Sequence, residues 1–130
     1  SARSLGLKNL NLICAEAMKF LEFCLPDSSI RAVYLFFPDP WPKWRHRKNR
    51  IFNASFIDQI HRVLQPGGVL HAATDDAPYF TQMREVMAGE TRFTETEPLK
   101  RTEDELTDFE LKFLSKNTPT NLASWRKNDN

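Results

Sequence analysis

Glycine is scarce in this chain. Its 4 glycines are Gly6, Gly67, Gly68 and Gly89, and none forms a G-x-G turn between a strand and a helix. Such a turn lets bare backbone approach a nucleotide-like cofactor closely, because glycine has no Cβ. Cysteine is rarer still. Cys14 and Cys24 are the 2 present, with neither metal-ligand spacing nor the density of a secreted disulfide scaffold. Both read as free, buried thiols in a reducing compartment, which predicts a cytoplasmic protein with no bound metal. No apolar run approaches the ~20 residues that span a bilayer. No charged-then-apolar leader pattern opens the chain, and no repeat or low-complexity tract interrupts it. Excess charge is lacking too. The 18 basic and 17 acidic residues leave a net +1, so any surface for a polyanion must be local.

What is present suits one α/β domain over residues 1–130. Hydrophobic residues make up 41% of the chain and include 10 phenylalanines, enough for a core and contrary to disorder.

One stretch organises the rest: Phe36 to Arg50, FFPDPWPKWRHRKNR. The run Ala32–Phe37 enters it without polar alternation, as a strand buried on both faces does. Pro38 has no amide hydrogen and ends such a strand. Proline also biases the residue before it, here Phe37 and Asp39, towards extended backbone. Asp39 is thereby expected at the carboxyl end of a central strand, where open α/β sheets bind ligands. A turn hydrogen bond would equally suit an aspartate flanked by prolines. Lys43, Arg45, Arg47, Lys48 and Arg50 follow with His46, and no carboxylate intervenes before Asp58. A charge run of this kind is commonly a solvated face. Its single sign, its place beyond the strand end, and Trp41 and Trp44 within it favour a polyanion with unpaired bases.

Other elements follow in order. Leu10–Cys14 reads as a short strand. Ala17–Leu25 reads as a helix with Ala17, Phe20, Leu21 and Cys24 on one face. Asn53–Leu64 is amphipathic, with Phe56, Ile57, Ile60, Val63 and Leu64 at helical spacing. Pro66-Gly67-Gly68 is expected to turn the chain into a buried strand, Val69–Ala73. A strand, helix and strand of this length form a crossover, so the two strands are predicted parallel. Asp39 and Asp75 then fall on one edge of the sheet. Asp75 or Asp76 would cap a helix over Pro78–Met87. Thr91–Thr96 alternates like an edge strand, Glu90–Glu110 holds 8 acids and 3 bases, and Leu122–Trp125 reads as a last strand.

The central stretch resembles the signature of the tRNA (guanine-N7)-methyltransferase family, roughly FFPDPW-x-K-x-R-H-x-K-R-R. The match runs through Phe36 to Trp41, Lys43, Arg45, His46, Lys48 and Arg50, and departs at Asn49, where the family usually has arginine. Ala73-Thr74-Asp75 and Thr107-Asp108-Phe109-Glu110 resemble two further family motifs, although Glu105-Leu106 stands where the family often has Arg-Pro. The resemblance implies a Rossmann-like class I methyltransferase sheet, with S-adenosylmethionine as cofactor and tRNA as partner. It implies that Asp39 is catalytic and touches the cofactor, and that Glu16, just past the first strand, lies near the adenosine. Glu16 also suits a helix N-terminus on electrostatic grounds alone. Lys43, Asp75, Thr107 and Glu110 would bind the target guanosine, and Arg45, His46, Arg47, Lys48 and Arg50 the RNA.

In that family's sheet the strands run third, second, first, fourth, fifth, seventh, sixth. By resemblance, the strand from Leu10 is the third and that from Ala32 the fourth. The first two strands, with the glycine-rich loop, have no counterpart here, which predicts an incomplete domain and one unpaired side of the fourth strand. Exposed apolar surface of that kind favours self-association. An RNA-binding module without methyl transfer stands as the rival reading. A methyltransferase of another class, acting on a small acid or a protein, is disfavoured by the basic arm.

Overall fold

Alternate residues of a strand face opposite ways, and that period builds the core of this molecule. A computed structural model describes residues 9–12, 17–98 and 120–129. In strand β2 (Ile30–Phe36), Val33 and Leu35 point to one face and are buried. Strand β1 (Asn9–Leu12) and strand β3 (Leu64–Thr74) flank it, both parallel to it. Strand β5 (Asn121–Lys127) pairs antiparallel with β3, and strand β4 (Phe93–Thr96) pairs antiparallel with β5. Among the described residues the sheet order is β1-β2-β3-β5-β4.

Three helices accompany the sheet: α1 (Ala17–Cys24), α2 (Ala54–Val63) and α3 (Ala77–Ala88). The Asn53 side chain caps α2 by accepting from the Phe56 amide at 2.9 Å. Asp76 caps α3 by accepting from the Tyr79 amide at 2.8 Å. Each cap satisfies an amide that the first turn leaves without a partner. Leu21, Phe56, Ile60, Tyr79 and Met83 from the helices join Val33, Leu35, Leu70, Ala72 and Trp125 from the sheet in one buried cluster. Fully burying an aliphatic or aromatic side chain of this size is worth ~1.5–3 kcal/mol. Arg62 ties two helices together. It donates to the carbonyls of Leu21 at 2.6 Å and Leu25 at 2.9 Å, at the end of α1, and pairs with Asp27.

The predicted α/β crossover is present. β2 and β3 are adjacent and parallel, with α2 between them in sequence. The order β2-β3-β5-β4 reproduces the fourth, fifth, seventh and sixth strands of the expected sheet. Four local expectations are corrected. β2 is not bare on its other side: β1 pairs with it directly, Asn9 opposite Ala32 through Leu12 opposite Leu35. Unpaired strand amides and carbonyls are costly, and this pairing satisfies a row of them. Pro66-Gly67-Gly68 does not precede the strand but lies inside β3, as an irregularity between the pairs Ile30–Leu64 and Ala32–Val69. Glycine is required there. A Cβ on Gly68 would meet the carbonyl oxygens of Arg31 and Gln65, each at 2.9 Å, and Gly67 has φ +81°. Cys24 is exposed rather than buried, because Leu25 and Leu21 supply the inward contacts at that end of α1. Cys14 lies outside the described residues. Phe37 is not extended: its φ is +53°.

Candidate functional site

Phe36-Phe37-Pro38-Asp39-Pro40-Trp41 leaves β2 at its carboxyl end through a strained turn. Phe37 and Trp41 have φ of +53° and +42°. Left-handed backbone in a residue with a Cβ costs roughly 1–2 kcal/mol and persists only where the surroundings over-determine it. Three hydrogen bonds do so here. The Phe37 amide donates to the Ala73 carbonyl at 2.7 Å. The Trp41 amide donates to Asp39 Oδ1 at 3.0 Å. The Pro40 carbonyl accepts from Arg50 Nε at 2.5 Å. Asp39 therefore makes the turn hydrogen bond expected of an aspartate between prolines, and it also stands exposed at the ligand edge. Its second oxygen, Oδ2, has no hydrogen-bond partner among the described residues.

The basic arm folds as a short 3-10 helix, Trp44–Asn49, and returns to the fold at Arg50. Its residues divide by exposure. Lys43, Arg45 and Lys48 are exposed. His46 is half-buried and meets Trp41 edge to face, with ring centroids 5.8 Å apart. Arg47 is half-buried, with its guanidinium 4.9 Å from the Trp44 ring centroid. Arg50 is 2% exposed. Its guanidinium donates to Pro40 and to Gln82 Oε1 at 2.5 Å, and lies 4.8 Å from the centre of the Tyr79 ring. Arg50 was expected among the RNA ligands, and its donors are instead spent on the protein. Its neighbours Asn49 and Ile51 carry no signal of this. The partners that bury it, Tyr79 and Gln82, lie about thirty residues away on α3, beyond the reach of any local pattern.

Tyr79 and Gln82 are thus site residues that motif reading missed. The Tyr79 hydroxyl accepts from the Phe52 amide at 3.0 Å, and Gln82 Nε2 donates to the Phe52 carbonyl at 3.3 Å. Burial pushes the Tyr79 phenol up to about 12. These contacts fix the segment between arm and α2 against α3.

A cavity of about 370 Å³ opens beside Asp39, with Met18, Leu35 and Ile51 as apolar wall and Lys48 and Asn53 as polar rim. Ligand pockets commonly have this character. Asp75 lies just past the end of β3, on the same sheet edge as Asp39. Asp76 takes the capping role, so the Asp75 carboxylate is exposed and makes no hydrogen bond among the described residues. Glu16, Thr107 and Glu110 lie outside the described residues. Among the described residues, no helix is long and apolar enough to cross a membrane, and no group of three His, Cys, Asp or Glu side chains could hold a metal.

Comparison with known proteins agrees with this arrangement. A family model described as "Putative methyltransferase" matches residues 1–122. The tRNA (guanine-N(7)-)-methyltransferase of Cronobacter sakazakii is 48% identical over 89 residues, covering 68% of this chain and 37% of the relative. That of Yersinia enterocolitica is 49% identical over the same length and the same shares. The chain thus spans little more than a third of the curated relatives it matches. Among solved structures, a DNA modification methylase from Thermus thermophilus, complexed with S-adenosyl-L-methionine, superposes with a TM-score of 0.56. It is 13% identical, over 95% of this chain and 56% of its own, a likeness of fold. By the family match over nearly its whole length, this chain belongs to that methyltransferase family, with tRNA (guanine-N(7)-)-methyltransferases as its curated relatives.

Proposed function

We propose that the protein carrying this chain transfers a methyl group from S-adenosylmethionine to N7 of a guanosine in tRNA. The observation that carries the reading is Asp39. Its carboxylate has one oxygen held by the turn and one open, at the carboxyl end of a central parallel strand. The curated relatives are named for this reaction.

The described residues fit one edge of the cofactor. Asp39, with Met18, Leu35 and Ile51 beside it, offers an acid against an apolar wall, suited to a cationic sulfonium and the purine next to it. A glycine cradle is not among them, since Gly67 and Gly68 belong to the β3 irregularity and Gly89 follows α3. Asp39 would hold the methyl-facing edge, and Glu16 the adenosine. When bound, the cofactor supplies an electrophilic methyl group.

Guanine N7 has a free lone pair, so no residue of the chain need act as a strong base. The N7–carbon bond forms as the carbon–sulfur bond breaks, and the purine gains positive charge. Asp39 offsets that charge and orients the ring, acting where charge develops. Asp75, on the same edge, supports it. Lys43, Thr107 and Glu110 contact the guanosine, which is turned out of its stack if it starts within one. Arg45, His46, Arg47 and Lys48 hold the RNA, and Arg50 positions the turn that carries Asp39.

Asp39→Asn in the full-length protein tests this. Methylation should fall on the order of 10²-fold or more, while tRNA affinity stays within twofold. Normal turnover by the variant would refute the assignment. The rival module reading draws on the lack of a glycine cradle among the described residues beside the cavity. It wins if calorimetry finds no S-adenosylmethionine binding by the full-length protein.

A further inference from the structure

Trp44 is 80% exposed, an unusual position for so large an apolar ring. It does not hang free. The Arg47 guanidinium stacks on it at 4.9 Å, a cation–π contact that holds the indole in place. Arg47 Nε is itself buried, with no hydrogen-bond partner among the described residues. Behind the indole runs a groove of about 800 Å³, on the side of the arm away from the Asp39 cavity. Trp44, Arg45, Arg47 and Lys48 line it from the arm, and Thr81 and Glu85 from α3. Lys48 and Arg50 border both spaces.

Resting on the RNA reading above, we infer that this groove is a second nucleotide subsite, which takes an unpaired base flanking the target. The base stacks on the open face of Trp44, and its phosphate is held by Arg45 and Lys48. Three observations carry this beyond a generic basic patch. A flat ring braced on one side by a guanidinium is a preformed stacking platform, and stacking on it works for any base. The exposed cations stand beside it, at the mouth of the groove, where a backbone would pass. Glu85 on the opposite wall repels phosphate and accepts from base N–H groups, which sets the base inward and the backbone outward. A duplex keeps its bases stacked on each other, so the ligand is single-stranded RNA or a tRNA loop or end.

The test uses the chain with an oligouridylate single strand and a blunt RNA duplex as probes. The single strand should quench tryptophan emission and the duplex should not. Trp44→Phe should abolish the quench and keep most of the affinity, which separates Trp44 from Trp41 and Trp125. Trp44→Ala should weaken the single strand roughly 5- to 150-fold, the range for one stacked base, without changing the salt slope. The side chain is exposed, and an unchanged circular dichroism spectrum verifies folding. If Trp44→Ala binds within twofold of the parent while Arg45→Ala and Lys48→Ala still weaken binding, the subsite is overturned and the RNA reading survives. If none of the three changes RNA binding, both fall.

Discussion

Arg50 Nε donates to the carbonyl of Pro40 at 2.5 Å, ten residues back along the chain. The bond closes the arm into a loop whose two ends meet on α3. The acid at Asp39 and the cations of the arm are therefore parts of one rigid unit. Its geometry is set by a buried arginine that touches no solvent-facing ligand.

Arg50→Met keeps the apolar volume but removes both donors. The Pro40 carbonyl and Gln82 Oε1 then lose a charged partner in the interior. Hydrogen bonds to charged groups are worth ~1.5–3 kcal/mol, and a loss of that size should lower the urea midpoint of unfolding. An unchanged midpoint, with weaker RNA binding and a flatter salt slope, would instead make Arg50 a phosphate ligand.

The exposed cations should behave in the opposite way. Replacing Lys43, Arg45 and Lys48 by alanine should leave the unfolding midpoint nearly unmoved and weaken tRNA binding. Each lost phosphate contact lowers the slope of log affinity against log salt by about 0.7–0.9. Equal slopes for parent and triple variant would show a solvated face.

Tyr79 links stability to alkaline pH. Its phenol is pushed by burial from the ordinary 10 up to about 12. A raised value in the folded state favours the neutral form there. The contribution is fully present below pH 10 and is lost as pH rises through about 12. Tyr79→Phe should remove this alkaline loss. It should also cost ~1–3 kcal/mol at neutral pH, because the buried Phe52 amide loses its acceptor. Denaturant titrations at neutral and alkaline pH measure both, and a variant with the parent's alkaline limb would contradict the assignment.

Local pattern carried much of this molecule because its elements obey local rules. Apolar runs without alternation mark β2 and the buried end of β3, and helical spacing marks α2. Asn53 and Asp76 cap helices with their own side chains, three residues from the amides they satisfy. The motif from Phe36 to Arg50 marked the site for the same reason, since its residues are contiguous. Asp39 and Asp75 could be assigned to one edge because a crossover forces two strands to run parallel.

The remaining features depend on groups far apart in sequence, and only the folded chain decides them. Whether Arg50 faces RNA or protein turns on Tyr79 and Gln82, which no local spacing brings near. Phe37 leaves extended backbone, against the bias of the following proline, because its amide reaches the Ala73 carbonyl. Cys24 is exposed because Leu25 and Leu21 take the inward positions at the end of α1. β1 docks on β2 because a strand's unpaired backbone groups find a partner wherever the fold brings one. Sequence determined the elements, the caps and the residue types at the ligand edge, since each is settled within a few residues. Tertiary structure decided which of those side chains remain free to meet a ligand, because burial is a property of the whole packed chain.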